Sequence, residues 1–186
     1  RETAVRLAES VLSTKAASVP RLTEALVALA ATEPVVTIRF PLALVASRLE
    51  GGARRNIVRT LLERDGADPW VRYAAFTSLR GDAAEIVSEW LASPQSLSSK
   101  GAAAALPGLV AQVGRKHDAA ELSRIIAGID RLAQPPTDGG ADPRPTGTVL
   151  LNELTAAISA AGSDVAAIEP VETTRTLVKR LGDYNR

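Results

Sequence analysis

The sequence predicts an all-α protein, an α-α superhelix of about five helix pairs, and three observations lead there. Apolar residues recur at helical spacing along most of the 186 residues, and the alternation expected of a strand is absent. The 46% apolar content is carried by 33 Ala and 22 Leu with only 3% aromatics, which suits closely packed helices; sheets draw on β-branched and aromatic side chains. Helix starts recur at intervals of about 30–38 residues, the mark of stacked helix–turn–helix units.

Each element follows from its own residues. Ala4, Leu7, Ala8, Val11 and Leu12 form the first apolar stripe, and Leu22, Leu26 and Leu29 the second. Pro20 fits early in that second helix, where the first-turn amides have no helical partner. Residues 36–49 suggest a third helix. Ile57, Val58, Leu61 and Leu62 mark a fourth, placed after a break at Gly51-Gly52. Residues 69–79 give a fifth and residues 82–91 a sixth, stopping near Pro94. A further pair is expected over 99–113 and 118–132. After a long Pro/Gly/Asp-rich loop at 134–147, a final pair is expected over 149–161 and 170–181.

Two interleaved registers organise these helices. Asp82-Ala83-Ala84-Glu85-Ile86 recurs as Asp118-Ala119-Ala120-Glu121-Leu122, 36 residues on. Asp at the N-cap with Glu three positions later predicts a capping box, each side chain satisfying a free backbone amide. Extended backwards, that register places helix starts near Ser18 and Ala53, with apolar residues four and eight positions on, Trp90 among them. The other register belongs to the preceding helices: Arg1, Arg39 and Arg72 each open an apolar stretch, the latter two after Glu33-Pro34 and Asp68-Pro69. Neither helix of a pair can bury its apolar face alone, so neighbouring pairs must stack.

The stretch Asp68-Pro69-Trp70-Val71-Arg72-Tyr73-Ala74-Ala75-Phe76 resembles the first helix of a HEAT repeat, in a HEAT/armadillo-like solenoid. Asp68 caps, Pro69 fits the first turn, and Arg72 is placed to reach an acidic residue of the adjacent repeat. Ile38-Arg39-Phe40-Pro41-Leu42-Ala43-Leu44, the Arg-rich helix ending Leu61-Leu62-Glu63-Arg64-Asp65-Gly66, and Asp68 to Leu79 together narrow the likeness. They resemble the HEAT-repeat region of the large exported multidomain haem-binding proteins of planctomycetes and their relatives, described as membrane-bound dehydrogenases. Residues 106–114 with the Asp118 helix, and 150–162, resemble later parts of that region. The resemblance implies a sugar-dehydrogenase-like β-propeller before the array and a cytochrome c domain with a Cys-x-x-Cys-His motif after it. It implies a periplasmic or exported location and a role as the spacer between redox modules.

No cofactor or metal is expected within the segment, and none of the family's haem-binding residues carries over. Zero Cys excludes a disulfide framework, a thiolate zinc site, an iron–sulfur cluster and covalent haem attachment here, so haem c would sit elsewhere in the parent. The chain opens on Arg1 and holds no Met, so a processed chain or a piece cut from something longer is expected, with residues 1–186 read as a single repeat domain. Its longest apolar run, 102–113, is interrupted by Pro107, Gly108 and Gln112 and is too short to span a membrane.

The candidate sites each have a plainer role. His117 beside Asp118 is the one dyad-like pair, but Asp118 is committed to capping and adjacent side chains diverge, so no catalytic residue is assigned and the segment is read as non-enzymatic. Arg54, Arg55, Arg59 and Arg64 give one helix a basic surface. Arg55 and Arg59, four apart, are placed to meet a phosphate or an acidic partner; the plainer expectation is a solvated face balanced by Glu50, Glu63 and Asp65. A formal charge of +1 disfavours nucleic acid, and a HEAT-like nucleic-acid-binding or DNA-repair-type domain using that Arg face stands as the alternative. Trp90 is expected in the core and Trp70 over the seam between repeats. Gly139-Gly140 lacks the strand and helix of a phosphate loop. The expected function is a non-catalytic scaffold that contacts neighbouring domains or another protein through its second helices, residues 54–63 and 82–91.

Overall fold

A computed structural model describes residues 1–13, 19–134, 142–162 and Lys179. Among the described residues every regular element is helical. The chain divides into two compact units, residues 1–82 with 95–105, and residues 83–94 with 106–186.

In the first unit, α1 (Glu2–Ser13), α3 (Val36–Val45) and α5 (Pro69–Thr77) pack side by side in one row, α3 in the middle. α2 (Val19–Thr32) and α4 (Gly51–Asp65) pack on each other as a second row, and α4 also packs on α5. Between the rows lie Val5, Ala8 and Leu12 from α1, Leu42, Ala43 and Val45 from α3, Ile57, Val58, Leu61 and Leu62 from α4, and Val71, Ala74 and Ala75 from α5, all buried. The stripe expected in α4 is buried throughout, whereas of the first stripe only Ala8 and Leu12 lie here, joined by Val5, and Ala4, Leu7 and Val11 are exposed. The hydroxyl of Ser78, past the end of α5, donates to the Ala43 carbonyl at 2.6 Å and ties the two helices in the core.

The second unit contains α6 (Ala83–Ala92), α9 (Ala119–Leu132) and α10 (Arg144–Ala160), with α6 and α10 both packed on α9. Its core is Ile86, Val87 and Trp90 with Leu122, Ile125, Ile126 and Ile129, continued by Leu150, Leu154 and Ile158. The short α7 (Pro94–Leu97) and α8 (Lys100–Lys116) run across the division, which falls beside Pro107 of α8.

Small residues set the closest helix approaches. A Cβ built on Gly101 of α8 would lie against the carbonyl oxygen of Leu62 and 2.5 Å from that of Glu63; one built on Gly66 would meet Gly101 and Leu62. In the second unit a Cβ on Gly128 would lie 2.6 Å from a Leu91 methyl.

Several boundaries differ from those expected. Gly51-Gly52 is no break: α4 begins at Gly51, whose φ of +55° lets the chain turn into the helix from extended Glu50. The third helix ends as an α-helix at Val45 and tightens into a 3-10 turn, Ala46–Arg48. The loop expected over 134–147 is cut short because α10 starts at Arg144. Pro145 falls in its first turn, where a missing N–H costs nothing, and a Cβ built on Gly147 would lie 3.4 Å from the Leu132 Cβ, an ordinary contact. The helix expected over 170–181, the start near Ser18 and Gly139-Gly140 fall outside the described residues, Lys179 excepted.

Candidate interaction face

The row α1–α3–α5 has an outward side, and that side is apolar. On α3, Val36, Phe40 and Leu44 stand at i, i+4 and i+8 and are exposed, while its single charged residue, Arg39, is buried. α3 therefore shows solvent no charge at all. On α5, Trp70 and Tyr73 share a face at i, i+3 and are 73% and 71% exposed. On α1, Leu7 is 63% exposed and Val11 lies four residues on. Helical periodicity explains the pattern in α3, where one stripe is spent on the core and Val36, Phe40 and Leu44 form a second on the opposite side; on α1, Leu7 and Val11 stand beside exposed Thr3, Arg6 and Ser10.

The seam role expected of Trp70 is not what the structure has. Asp68 caps α5 by accepting from the Trp70 and Val71 amides at 2.8 and 3.2 Å, and Pro69 fills the first turn. That start aims Val71 into the core and leaves Trp70 and Tyr73 in water. Trp90, by contrast, is fully buried as its register predicts.

The arginine–acid contact expected of Arg72 is made instead by Arg1 and Arg39. Arg1 donates to Glu33 Oε2 at 2.9 Å. Arg39, only 7% exposed, donates to both oxygens of Asp65 at 2.5 Å and to the Glu33 carbonyl at 2.7 Å. Arg39 thus grips the acid that ends α4 with a bidentate fork that Lys could not make, while Arg1 makes a single bond to the acid just past α2. Arg72 departs from the pattern. It donates to the Gly66 carbonyl at 2.5 Å, capping the chain just before its own helix. The Arg1 guanidinium holds the Glu33 carboxyl below its ordinary value, helped by the Val35 amide, against the opposing effect of burial. The Asp65 carboxylate raises Arg39 in the same way.

The basic helix α4 spends its arginines inside the fold. Arg54 donates to Asp82 Oδ2 at 2.8 Å, Arg59 to Glu63 at 3.1 Å, and Arg64 to the carbonyls of Ala30, Ala31 and Glu33 at 2.5–2.8 Å. Arg64 therefore caps the C-terminus of α2, where a cation meets the helix dipole and its free carbonyls. Arg55 is half-buried on the same helix. Arg59 is thus drawn to Glu63 along the helix, and the pairing of Arg55 with Arg59 at four residues' spacing does not leave two cations facing water.

His117 and Asp118 separate as expected. Asp118 accepts from the Glu121 amide at 2.9 Å, and that hydrogen bond holds its carboxyl below the ordinary value. The capping box at α9 is half formed, because the Glu121 carboxylate does not reach back but takes the Lys116 ammonium, which raises Lys116. His117 sits between α8 and α9 at a φ of +56°, the left-handed conformation that ends many helices, with its Nε2 buried and without a hydrogen-bond partner. Nothing aligns its ring with a nucleophile.

Among the described residues no group of three or more His, Cys, Asp or Glu gathers in a way that could hold a metal ion, and no helix is long and apolar enough to cross a membrane. Comparison of the chain with family models, curated proteins and solved structures gives no match.

Proposed function

We propose that this segment is a non-catalytic helical-repeat scaffold that works by holding other proteins or domains. In the setting implied by the resemblance, it links a dehydrogenase-like propeller and a cytochrome c domain in an exported redox protein. The observation that carries the proposal is the apolar outward side of α1, α3 and α5. A helix that exposes Val36, Phe40 and Leu44, with Thr37 and no charge beside them, and is flanked by Trp70 and Tyr73, is a poor solvent face and a good contact face, since Trp and Tyr head the residues that dominate binding energy. The contact surface is therefore assigned to the first helices and not to the second helices, 54–63 and 82–91, where the concave side of a superhelical array is expected to place it. Two packed rows of helices tied by a repeated arginine–acid contact also support a HEAT-like array.

Expression of the segment alone and a reading of the flanking frame test this. The expected results are a helical circular dichroism spectrum, no Soret band after incubation with haem, and a Cys-x-x-Cys-His motif downstream. A Soret band held by the segment itself, or duplex-DNA binding that weakens steeply with salt, overturns it.

A further inference from the structure

We infer that the α1–α3–α5 face pairs with a second copy of itself, so that the scaffold is a two-fold dimer; this rests on the scaffold proposal above. Three observations select that occupant.

The first is area. Trp70 and Tyr73, at 73% and 71% exposure, leave about 300 Å² of ring open if a whole aromatic side chain offers roughly 200–250 Å². Leu7, Val36, Phe40, Leu44 and their exposed neighbours bring the apolar total to about 600 Å², at or above the largest patch of an ordinary monomer. If about 65% of a homodimer interface is apolar, that corresponds to roughly 900 Å² per partner, the size of a standard stable interface.

The second is polarity. Contacts between proteins that also live apart are no more apolar than the rest of a surface, whereas homodimer faces are enriched in apolar area. α3 exposes no charge, and it lies in the middle of the row.

The third is the rim. The exposed charges on α1 and the adjoining 3-10 turn come in matched signs: Arg6 pairs with Glu2 at 2.7 Å and Arg48 with Glu9 at 3.0 Å. A rim balanced in this way offers no electrostatic preference for a strongly acidic or basic partner and sets no net charge against that of its own copy. A two-fold axis through the middle of α3 sets α3 against α3 and brings α1 of each copy toward α5 of the other. An isologous contact of this kind closes on itself and does not propagate into fibres.

Sedimentation velocity on the chain as it stands tests the dimer. The expected result is a species of twice 19.5 kDa, with a dissociation constant of about 1 µM or tighter, and an emission of Trp70 that shifts to the blue as concentration rises while buried Trp90 contributes a constant background. The double variant Leu44→Asp/Tyr73→Asp should weaken association at least 100-fold with unchanged helicity. Trp70→Ala, a milder change at an exposed site, should weaken it about tenfold should the double variant lose helicity. Val149→Asp on the exposed side of α10 should leave it intact. A wild-type chain that stays monomeric at about a hundred times that dissociation constant overturns the dimer, as does a dimer that survives both face variants. Adding the separately expressed flanking domains to a monomeric chain then separates the two proposals. Binding that the same variants abolish leaves the scaffold standing without the dimer, and no binding removes both.

Discussion

Replacing Gly101 with alanine tests how closely α4 and α8 approach within the first unit. The added Cβ would collide with the carbonyl oxygen of Leu62 and lie 2.5 Å from that of Glu63 and 2.9 Å from its carbon, all backbone atoms of the last turn of α4. Side-chain rotation cannot relieve backbone contacts. Bringing them to an ordinary 3.4 Å moves one helix by about an ångström, and overpacking of that kind costs about 1–3 kcal/mol, here at the upper end because nothing flexible yields. Alanine's better helix propensity returns at most about 1 kcal/mol. The net loss is about 2 kcal/mol, or roughly 4–8 °C in Tm for a chain of this length. Gly52→Ala is the matched control: its Cβ meets nothing within 4 Å and its φ is ordinary, so it should stabilise by about 0.5–1 kcal/mol. Urea titrations followed at 222 nm measure both. A Gly101→Ala chain as stable as the wild type refutes the close crossing, whatever the control does.

Asp65→Ala leaves the buried Arg39 guanidinium without its carboxylate and should cost about 3 kcal/mol by urea titration, whereas Arg39→Met/Asp65→Leu should recover most of the loss, since a buried ion pair contributes little net. Stability should fall with acid: the carboxyls of Glu33 and Asp118 are held below their ordinary 4.5 and 3.8, so their contribution is complete above those values and lost as pH drops through the depressed ones. Glu33→Gln should flatten the decline measured between about pH 5 and pH 3. His117→Gly should stabilise by about 0.5–1 kcal/mol in a thermal melt, because glycine adopts a φ of +56° without the cost a side chain incurs; a loss would show that the imidazole is needed for packing.

Which residues face inward was largely legible in the sequence. The stripes of α4 and α9 are periodic enough to read, and Trp90 falls at a core position of its register; in α1 the inward stripe is Val5, Ala8 and Leu12, and Ala4, Leu7 and Val11 face water instead. What the sequence concealed depends on distance. Gly51, Gly66 and Gly101 look alike as letters, yet Gly51 starts a helix through a left-handed φ, while Gly66 and Gly101 permit close contact between segments far apart in the chain. Pro145 reads as a breaker until its place in a first turn is known. Arg39 and Arg72 occupy equivalent register positions, but only Arg39 finds an acid across the row, because Asp65 ends the neighbouring helix and no counterpart stands within reach of Arg72 before the Gly66 carbonyl does. The candidate face was legible in composition and illegible in direction: Trp70 and Tyr73 were visible, but which side of α5 meets the core depends on where Asp68 starts the helix.

The position of Arg39 bears on how the first unit comes apart. Its side chain belongs to the second helix pair, yet it is satisfied from two sides, by the chain that ends α2 and by the acid that ends α4. If the leading pair frays, Arg39 loses the Glu33 carbonyl and is left with one of its two supports in a dry site. Opening the end of the array therefore carries a penalty felt one pair further in, and neighbouring pairs share their fate. Where stacked repeats joined by apolar contact alone would peel away one at a time, this contact favours opening of the first four helices as a single block, so that a partner held on α1 and α3 is gripped by a unit that yields all at once or not at all.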